Sequence, residues 1–171
     1  MFKVALGEKA YRDYGGVVSR VRPAADRLAT EQHVIDALWP ALEGRGVSWV
    51  GFYHKVAGRD EMLLDACRPK PACSPLGLQG MCGRCWRERR PILLHDSRTL
   101  PPDGYIGCDP KDLSEVVVPL FEPDGSCWGV LDLDSYEVGS FSEADVAGLT
   151  RVVERAGLSA VQVPGLAVLR L

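Results

Sequence analysis

The sequence lacks a long apolar run. Its N-terminal stretch, MFKVALGEKAYRDYGG, contains no segment of signal-peptide length. Nowhere does the chain approach the roughly 18 consecutive apolar residues that a membrane-spanning helix requires. We therefore expect a cytoplasmic protein without a membrane partner.

The sequence also lacks an excess of positive charge. It has 20 lysines and arginines against 23 acidic residues, which gives a net charge of −3. Phosphate backbones and anionic lipids attract proteins mainly through clustered basic residues. This balance argues against nucleic-acid binding and, again, against membrane binding.

Six cysteines are present, although nothing indicates secretion. Because the cytosol keeps thiols reduced, these cysteines do not predict a framework of structural disulfides. Catalysis, metal binding and core packing remain as explanations. For Cys67 and Cys127 we favour core packing, because a free cysteine often behaves as a small buried hydrophobic residue.

The length of 171 residues, with 46% hydrophobic and 25% charged residues, fits one globular domain. We predict an N-terminal extension over residues 1–22, a domain over residues 23–161 and a C-terminal tail over residues 162–171. The apolar tail could cover the core or a dimer interface.

Residue patterns predict an antiparallel α+β sheet with helices on one side. Helices are expected over residues 23–43, over residues 80–90 and in FSEADVAGLTRVVERAG, with Ser142 as the N-cap of the last one. Strands are expected in SWVGFYHK, EMLLDA, PILLHD, SEVVVPLF and CWGVLDLDS. The Asp-Gly pair in EPDG predicts a hairpin between the last two strands. A long turn-rich loop, DSRTLPPDGYIGCDPKDL, precedes them, and loops of this length are usually functional or disordered.

Several of these segments together resemble the free methionine-(R)-sulfoxide reductases, which are single-domain members of the GAF fold. They are SWVGFY, KPAC, MCG, GYIGCD, SEVVVPLF, GVLDLDS and FSEAD, and they extend over about residues 25–160. The specific part is three cysteines at family-like positions, Cys73, Cys82 and Cys108, with Glu115 seven residues after the last. Asp132 and Asp134 follow in LDLDS. The resemblance implies a GAF fold with a central antiparallel sheet of about six strands flanked by helices.

The resemblance further implies reduction of free L-methionine-(R)-sulfoxide to L-methionine without a prosthetic group. It suggests a thioredoxin-like reductant and a homodimer. Sulfoxide reduction needs a soft nucleophile at sulfur and an acid that protonates the oxygen. Cys108 beside Glu115, Asp132 and Asp134 meets this need. Attack would leave Cys108 as a sulfenic acid, which Cys73 or Cys82 could convert to a disulfide. We favour Cys73 as the first partner.

The carboxylates carry two further expectations. Three carboxyl groups in one pocket repel each other, so at least one should hold a proton near neutral pH. The remaining negative charge would suit the ammonium of a free amino acid, with Asp132 as a substrate-binding residue and Glu115 and Asp134 as catalytic ones.

Trp49, Gly51 and Tyr53 share one face of the predicted strand SWVGFY. The resemblance implies that Trp49 and Tyr53 form a wall for the substrate methyl group, whereas packing within the sheet is the alternative for both rings.

The chain departs from the family at two points. Cys73 and Cys82 are nine residues apart, one fewer than the family spacing, and Cys85 is additional. Cys82 and Cys85 form a Cys-Gly-Arg-Cys element, which could begin a zinc site, but a second ligand pair is missing. Two alternatives to the reductase remain. One is a non-catalytic GAF ligand-binding or sensor module, and the other is a thiol or zinc redox switch built on Cys82 and Cys85.

Overall fold

The structure is a computed structural model that describes residues 12–103, 105, 107–160 and 167–171. Two helices come first, three strands follow, and a 3-10 turn covers Ser97–Thr99 in the second half. The helices are α1 (Tyr14–Arg20), α2 (Arg27–Leu42), α3 (Met81–Glu88) and α4 (Glu143–Arg155). The strands are β1 (Trp49–Lys55), β2 (Glu61–Arg68), β3 (Leu76–Gly77), β4 (Ile92–Leu94), β5 (Ser114–Phe121), β6 (Cys127–Ser135) and β7 (Leu169–Arg170).

The strands form one sheet in the order β3-β2-β1-β6-β5-β4-β7. Every pairing is antiparallel except that of β4 with β7. The predicted α+β architecture is confirmed. The sheet has seven strands rather than about six, because the two-residue strands β3 and β7 lie at its edges and are too short to leave a pattern in the sequence.

The predicted hairpin between β5 and β6 is present. The amide of Glu122 donates to the carbonyl of Ser126 at 2.8 Å, and the amide of Gly125 donates back to the carbonyl of Glu122 at 2.9 Å. Gly125 has φ of +83°, a backbone conformation that glycine adopts without steric cost. The turn therefore sets the register in which β5 and β6 bring their side chains together.

The larger core lies between the sheet and helices α1, α2 and α4. Alternate residues of the central strands point into it, and many are fully buried. The strand residues of this core are Val50, Phe52, Ala66, Val116, Val118, Leu120, Leu131 and Leu133. We call this side of the sheet the helix-covered face.

Helix α3 lies on the opposite side of the sheet, which corrects the expectation that all helices share one side. Met81, Cys82 and Cys85 of α3 belong to a second, smaller core together with Tyr53 and Val117. A single eight-residue helix cannot cover this whole side. The remainder is covered by the loops that carry Cys73 and Cys108, and we call this side the site face.

Both ends of the described chain add to the domain. Arg12 donates to Asp145 Oδ1 at 2.8 Å, and the Tyr14 hydroxyl donates to the same oxygen at 2.7 Å, so the segment before α2 is tied to α4. At the other end, β7 pairs in parallel with β4. Residues 161–166 lie outside the described residues. No helix of the described ranges is both long and apolar enough to cross a membrane.

Candidate active site

Strands β5 and β6 bring the three predicted carboxyl groups to the site face. Glu115 is paired directly with Asp134, and Val117 with Asp132. Because side chains alternate along a strand, Glu115, Asp132 and Asp134 all point away from the helix-covered face. Glu115 and Asp132 are only 5% and 6% exposed, so both carboxyl groups are taken out of water.

Burial and mutual repulsion raise the pKa values of these groups. Burial holds the pKa of Glu115 well above its ordinary range, and the charges of Asp132 and Asp134 add to the effect. Burial raises the pKa of Asp132 to about 7. The pKa of Asp134 is also well above its ordinary range, first because of burial and then because of Asp132 and Asp112. The cluster therefore retains protons at neutral pH, as general acid catalysis requires.

Cys82 lies against the same carboxyl groups. It stands in the first turn of α3, and its Sγ is 3.3 Å from Asp132 Oδ2. Burial raises the pKa of the Cys82 thiol well above its ordinary value, and the Asp132 and Glu115 charges raise it further. Cys82 is consequently a protonated, unreactive thiol as long as it stays in this position.

Cys73 and Cys108 are joined by a disulfide, with their Cα atoms 5.7 Å apart. The bond connects the loop between β2 and β3 to the long loop before β5. Of the two candidate partners for Cys108, the sequence favoured Cys73, and this is the pairing in the structure. Cys82 remains a free thiol.

Trp49 and Tyr53 are buried side by side on the site face, with ring centroids 6.0 Å apart. The indole Nε1 of Trp49 donates to the carbonyl of Lys70 at 2.8 Å, and the Tyr53 hydroxyl donates to the carbonyl of Cys73 at 2.9 Å. The polar atoms of both rings thus hold the backbone of the Cys73 loop. The sequence did not predict this contact, because it joins residues about twenty positions apart.

Gly51 makes room for the Trp49 ring. A Cβ atom at position 51 would lie 2.2 Å from Cη2 of Trp49, far inside van der Waals contact. In the sequence, Gly51 was noted only as sharing a face with the two rings.

A cavity of about 370 Å³ opens beside the disulfide. Of the predicted site residues, Trp49, Cys108 and Asp134 line this cavity. Tyr53, Glu115, Asp132 and the two remaining predicted cysteines do not appear in its wall. A cavity of this volume is at the small end of ligand sites. Its other lining residues are Ser48, Lys70, Pro71, Ala72, Asp109, Pro110, Asp112 and Tyr136.

Two acidic residues of this wall, Asp109 and Asp112, were not indicated by the sequence patterns. Asp112 is buried, and burial together with the charge of Asp109 raises its pKa to about 6. Asp109 accepts a hydrogen bond from the Tyr136 hydroxyl at 2.8 Å and lies 3.6 Å from the Lys70 ammonium. The only available signal was their place in CDPKD directly after Cys108.

Tyr105 is a further residue that the analysis missed. Its pKa is raised by burial and by the charges of Glu115 and Asp134, so its phenol remains protonated. It packs against the smaller core of the site face.

The remaining cysteines lie apart from the disulfide. Cys85 is fully buried on α3, whereas Cys67 and Cys127 are half-buried. Within the residues that the structure describes, the only group of three metal-ligating side chains joins Cys82 to Glu115 and Asp132, and it does not include Cys85. The Cys-Gly-Arg-Cys element is therefore not assembled as a zinc clip.

A family model described as GAF domain matches residues 24–159. The chain therefore belongs to the GAF domain family.

Among individual proteins, the chain is similar to two curated relatives. It is 35% identical to GAF domain-containing protein A of Dictyostelium discoideum over 107 residues, which are 62% of this chain and 65% of that protein. It is 34% identical to the free methionine-R-sulfoxide reductase of Escherichia coli over 109 residues, which are 63% of this chain and 62% of that protein. The chain thus spans slightly less than two thirds of the length of each.

A solved structure adds a similarity in three dimensions. The free methionine-R-sulfoxide reductase of Neisseria meningitidis, in complex with its substrate, superposes with a TM-score of 0.70 at 31% identity. The match covers 85% of each chain. The resemblance to this reductase group, first indicated by short sequence segments, is thereby confirmed over most of the domain.

Proposed function

We propose that this protein reduces free L-methionine-(R)-sulfoxide to L-methionine by thiol chemistry. The observation that carries the proposal is the Cys73–Cys108 disulfide at a cavity that Trp49 and Asp134 also line. The similarity to reductases that carry this activity in their names supports the same reaction.

In the first step, the Cys108 sulfur attacks the sulfoxide sulfur while a carboxylic acid protonates the sulfoxide oxygen. Glu115 is suited to supply this proton, because its raised pKa keeps it protonated at neutral pH. The oxygen passes to Cys108 as a sulfenic acid, and methionine leaves. Glu115 gives its proton to the oxygen and regains one from the Cys108 thiol. The thiol thus becomes a sulfenic acid and the sulfoxide becomes methionine, so atoms and electrons balance.

In the second step, the Cys73 thiol attacks the sulfenic sulfur, and water leaves as the disulfide forms. The Cys73–Cys108 disulfide supports this step. An external dithiol then reduces the disulfide, and a thioredoxin-like protein would serve as that reductant. Cys82 can act as a second resolving thiol only if it leaves the carboxyl groups that keep it protonated.

Substrate selection follows from the charge of the site. The Lys111 amide and the Tyr136 hydroxyl hold the pKa of Asp109, in the cavity wall, below its usual range, so this carboxylate is ionised. Asp132, with a pKa of about 7, is partly ionised at neutral pH. Their negative charge attracts the ammonium of a free amino acid. A methionine within a polypeptide lacks this ammonium. Trp49 supplies apolar surface for the methyl group, whereas Tyr53 is buried behind the Cys73 loop. The cytoplasmic location and the homodimer belong to the same proposal, and the oligomeric state is measured by light scattering on the purified protein.

The test is an assay on the R and S epimers of free methionine sulfoxide, each compared with its N-acetyl form, with dithiothreitol as reductant. We expect turnover of the free R epimer alone. Equal turnover of the acetylated compound would contradict the ammonium role. Binding of free sulfoxide without any turnover would instead indicate a ligand-binding module.

A further inference from the structure

A thiol and two carboxyl groups meet on the site face, close enough to one another to share a metal ion. Ligand atoms of Cys82, Glu115 and Asp132 all lie within 4.8 Å of one another, and all three residues are buried. We call these residues the buried thiol–carboxylate cluster. They come from three different elements, α3, β5 and β6, so the cluster exists only in the folded protein.

The cluster has the dimensions of a zinc site. Zinc binds thiolate sulfur at about 2.3 Å and carboxylate oxygen at about 2.0 Å, so a sulfur and an oxygen on one tetrahedral zinc ion are about 3.5 Å apart. The Sγ of Cys82 and Oδ2 of Asp132 are 3.3 Å apart. A carboxylate oxygen of Glu115 lies within 4.8 Å of both other ligand atoms, so this side chain must approach by up to about 1.5 Å to complete three protein ligands.

One oxygen of the cluster lacks a partner. Oδ1 of Asp132 is buried and accepts no hydrogen bond from any residue that the structure describes. A buried polar atom without a partner costs free energy, and so does the repulsion between buried carboxylates. A divalent cation that both oxygens of Asp132 contact would relieve both costs at once. This orphan oxygen is independent of the spacing of the ligand atoms.

We propose that the buried thiol–carboxylate cluster binds one Zn²⁺ ion, which inhibits the enzyme. Mixed sulfur and oxygen ligands favour zinc over Mg²⁺ and Ca²⁺, which prefer oxygen alone. Three protein ligands leave one tetrahedral position for water or for another ligand. The metal would bind Glu115 and Asp132. It would thereby remove the general acid and the negative charge that attracts the substrate ammonium. The inhibition rests on the proposed function, whereas the binding of zinc does not.

This site differs from a clip formed by the Cys-Gly-Arg-Cys element. Zinc binding by such a clip would require Cys85 and would not depend on Glu115. The thiol–carboxylate cluster needs Glu115 and is indifferent to Cys85. Two single substitutions therefore separate the two possibilities.

Binding is measured on the form in which Cys73 and Cys108 are already bonded, because those two thiols then cannot hold metal. Metal-free protein is titrated with Zn²⁺ against a chromophoric chelator, and with Co²⁺ to detect the absorption of a cobalt–thiolate bond. We expect one equivalent to bind with a single cobalt–thiolate signature. In Glu115→Gln the affinity should fall by at least about 100-fold, since loss of outer-shell partners alone costs 10- to 100-fold. Asp132→Asn provides a second variant should the first fold poorly.

The matched control is Cys85→Ser, which should bind zinc as the parent protein does. Absence of a one-equivalent step in the parent protein would overturn the proposal. Loss of binding in Cys85→Ser with full binding in Glu115→Gln would also overturn it, in favour of the clip. A separate assay of the reduced enzyme should lose activity on addition of one equivalent of Zn²⁺ and regain it with a chelator. Binding without inhibition would overturn the inhibitory role alone, and an inactive parent enzyme would count against the proposed function rather than against zinc binding.

Discussion

Alternate residues of the same strands point to opposite faces of the sheet, and the two faces have different roles. On the helix-covered face, Phe52, Leu131 and Leu133 are completely buried among other apolar side chains. On the site face, the neighbouring positions carry Asp132 and Tyr53, whose polar atoms are buried too. Burial of apolar area stabilises the fold, whereas burial of carboxyl groups costs free energy.

Residues that stabilise the fold and residues that form the site are therefore neighbours along the same strand. The side-chain period of two sends position 131 into the larger core and position 132 into the site. A substitution should therefore damage mainly folding on one face and mainly turnover on the other. The following predictions test that separation.

The largest effect is expected from Cys108→Ser on the site face. The serine hydroxyl is a far weaker nucleophile toward sulfur, so no methionine should form even in a single turnover. The melting temperature of the reduced protein should stay close to that of the parent. The control is Cys127→Ala, which should retain activity. Methionine release by Cys108→Ser would move the nucleophile elsewhere.

Glu115→Gln should slow the reductase step by about 100-fold to 10,000-fold, the usual cost of losing a general acid. Alkylation of Cys108 in the reduced protein should be unchanged, because the thiol is still present. The control is Glu122→Gln just beyond β5, where a solvent-exposed ion pair with Arg27 contributes little. A near-normal rate for Glu115→Gln would leave this carboxyl group as an ordinary strand residue.

The sequence indicates which strand residues share a face of the sheet. It does not indicate which helix and loops cover the site. Alternation along GVLDLDS puts Asp132 and Asp134 on one side of a strand, and the register across the EPDG hairpin aligns Glu115 with Asp134. Strand patterns depend on neighbouring residues, so they can be recognised in the sequence. The side of the sheet that α3 covers depends on long-range packing, which no local pattern records.

The same reason explains the site residues that the sequence missed. The contacts of Tyr53 with the Cys73 carbonyl and of Cys82 with Asp132 join residues 20 and 50 positions apart. Asp112 could not be distinguished from other polar residues of a long loop. Helix α1 and strands β3 and β7 were too short for their periodicity to be recognised.

On the helix-covered face, Leu133→Ala should lower the free energy of unfolding by about 2–5 kcal/mol, the usual cost of a buried leucine-to-alanine cavity. The folded fraction should keep the KM of the parent enzyme, because Leu133 points away from the cavity. Urea denaturation and steady-state kinetics in the absence of urea provide the two readouts. A changed KM with unchanged stability would break the proposed separation of faces.

Asp132→Asn should make the protein more stable, increasingly so as pH rises. Burial raises the pKa of Asp132 from an ordinary value near 3.8 to about 7, so the folded protein holds a proton that the unfolded chain releases. The free energy of unfolding therefore falls between about pH 4 and pH 7, and this loss is complete above pH 7. Asparagine does not titrate, so the difference between variant and parent should be smallest at pH 4. Parallel stability profiles from pH 4 to pH 8 would contradict this account.

The smallest effect is expected from Tyr53→Phe, which removes the hydrogen bond from the Tyr53 hydroxyl to the Cys73 carbonyl. A neutral hydrogen bond contributes about 0.5–1.5 kcal/mol, so closure of the disulfide should slow by about 2- to 10-fold if the bond positions Cys73 during that step. Release of methionine in the first turnover should not change, because Cys108 acts before Cys73. Rapid quenching with an alkylating reagent, followed by peptide mass analysis, resolves the two steps.

The matched control for this last variant is Tyr14→Phe on the helix-covered face. It also removes a buried phenol hydrogen bond, in this case to Asp145, and should lower stability without changing the rate of disulfide closure. Equal slowing in both variants would mean that general loosening of the fold, and not the contact with Cys73, controls the rate. Slowing of methionine release by Tyr53→Phe alone would instead return Tyr53 to the substrate wall that the sequence first suggested.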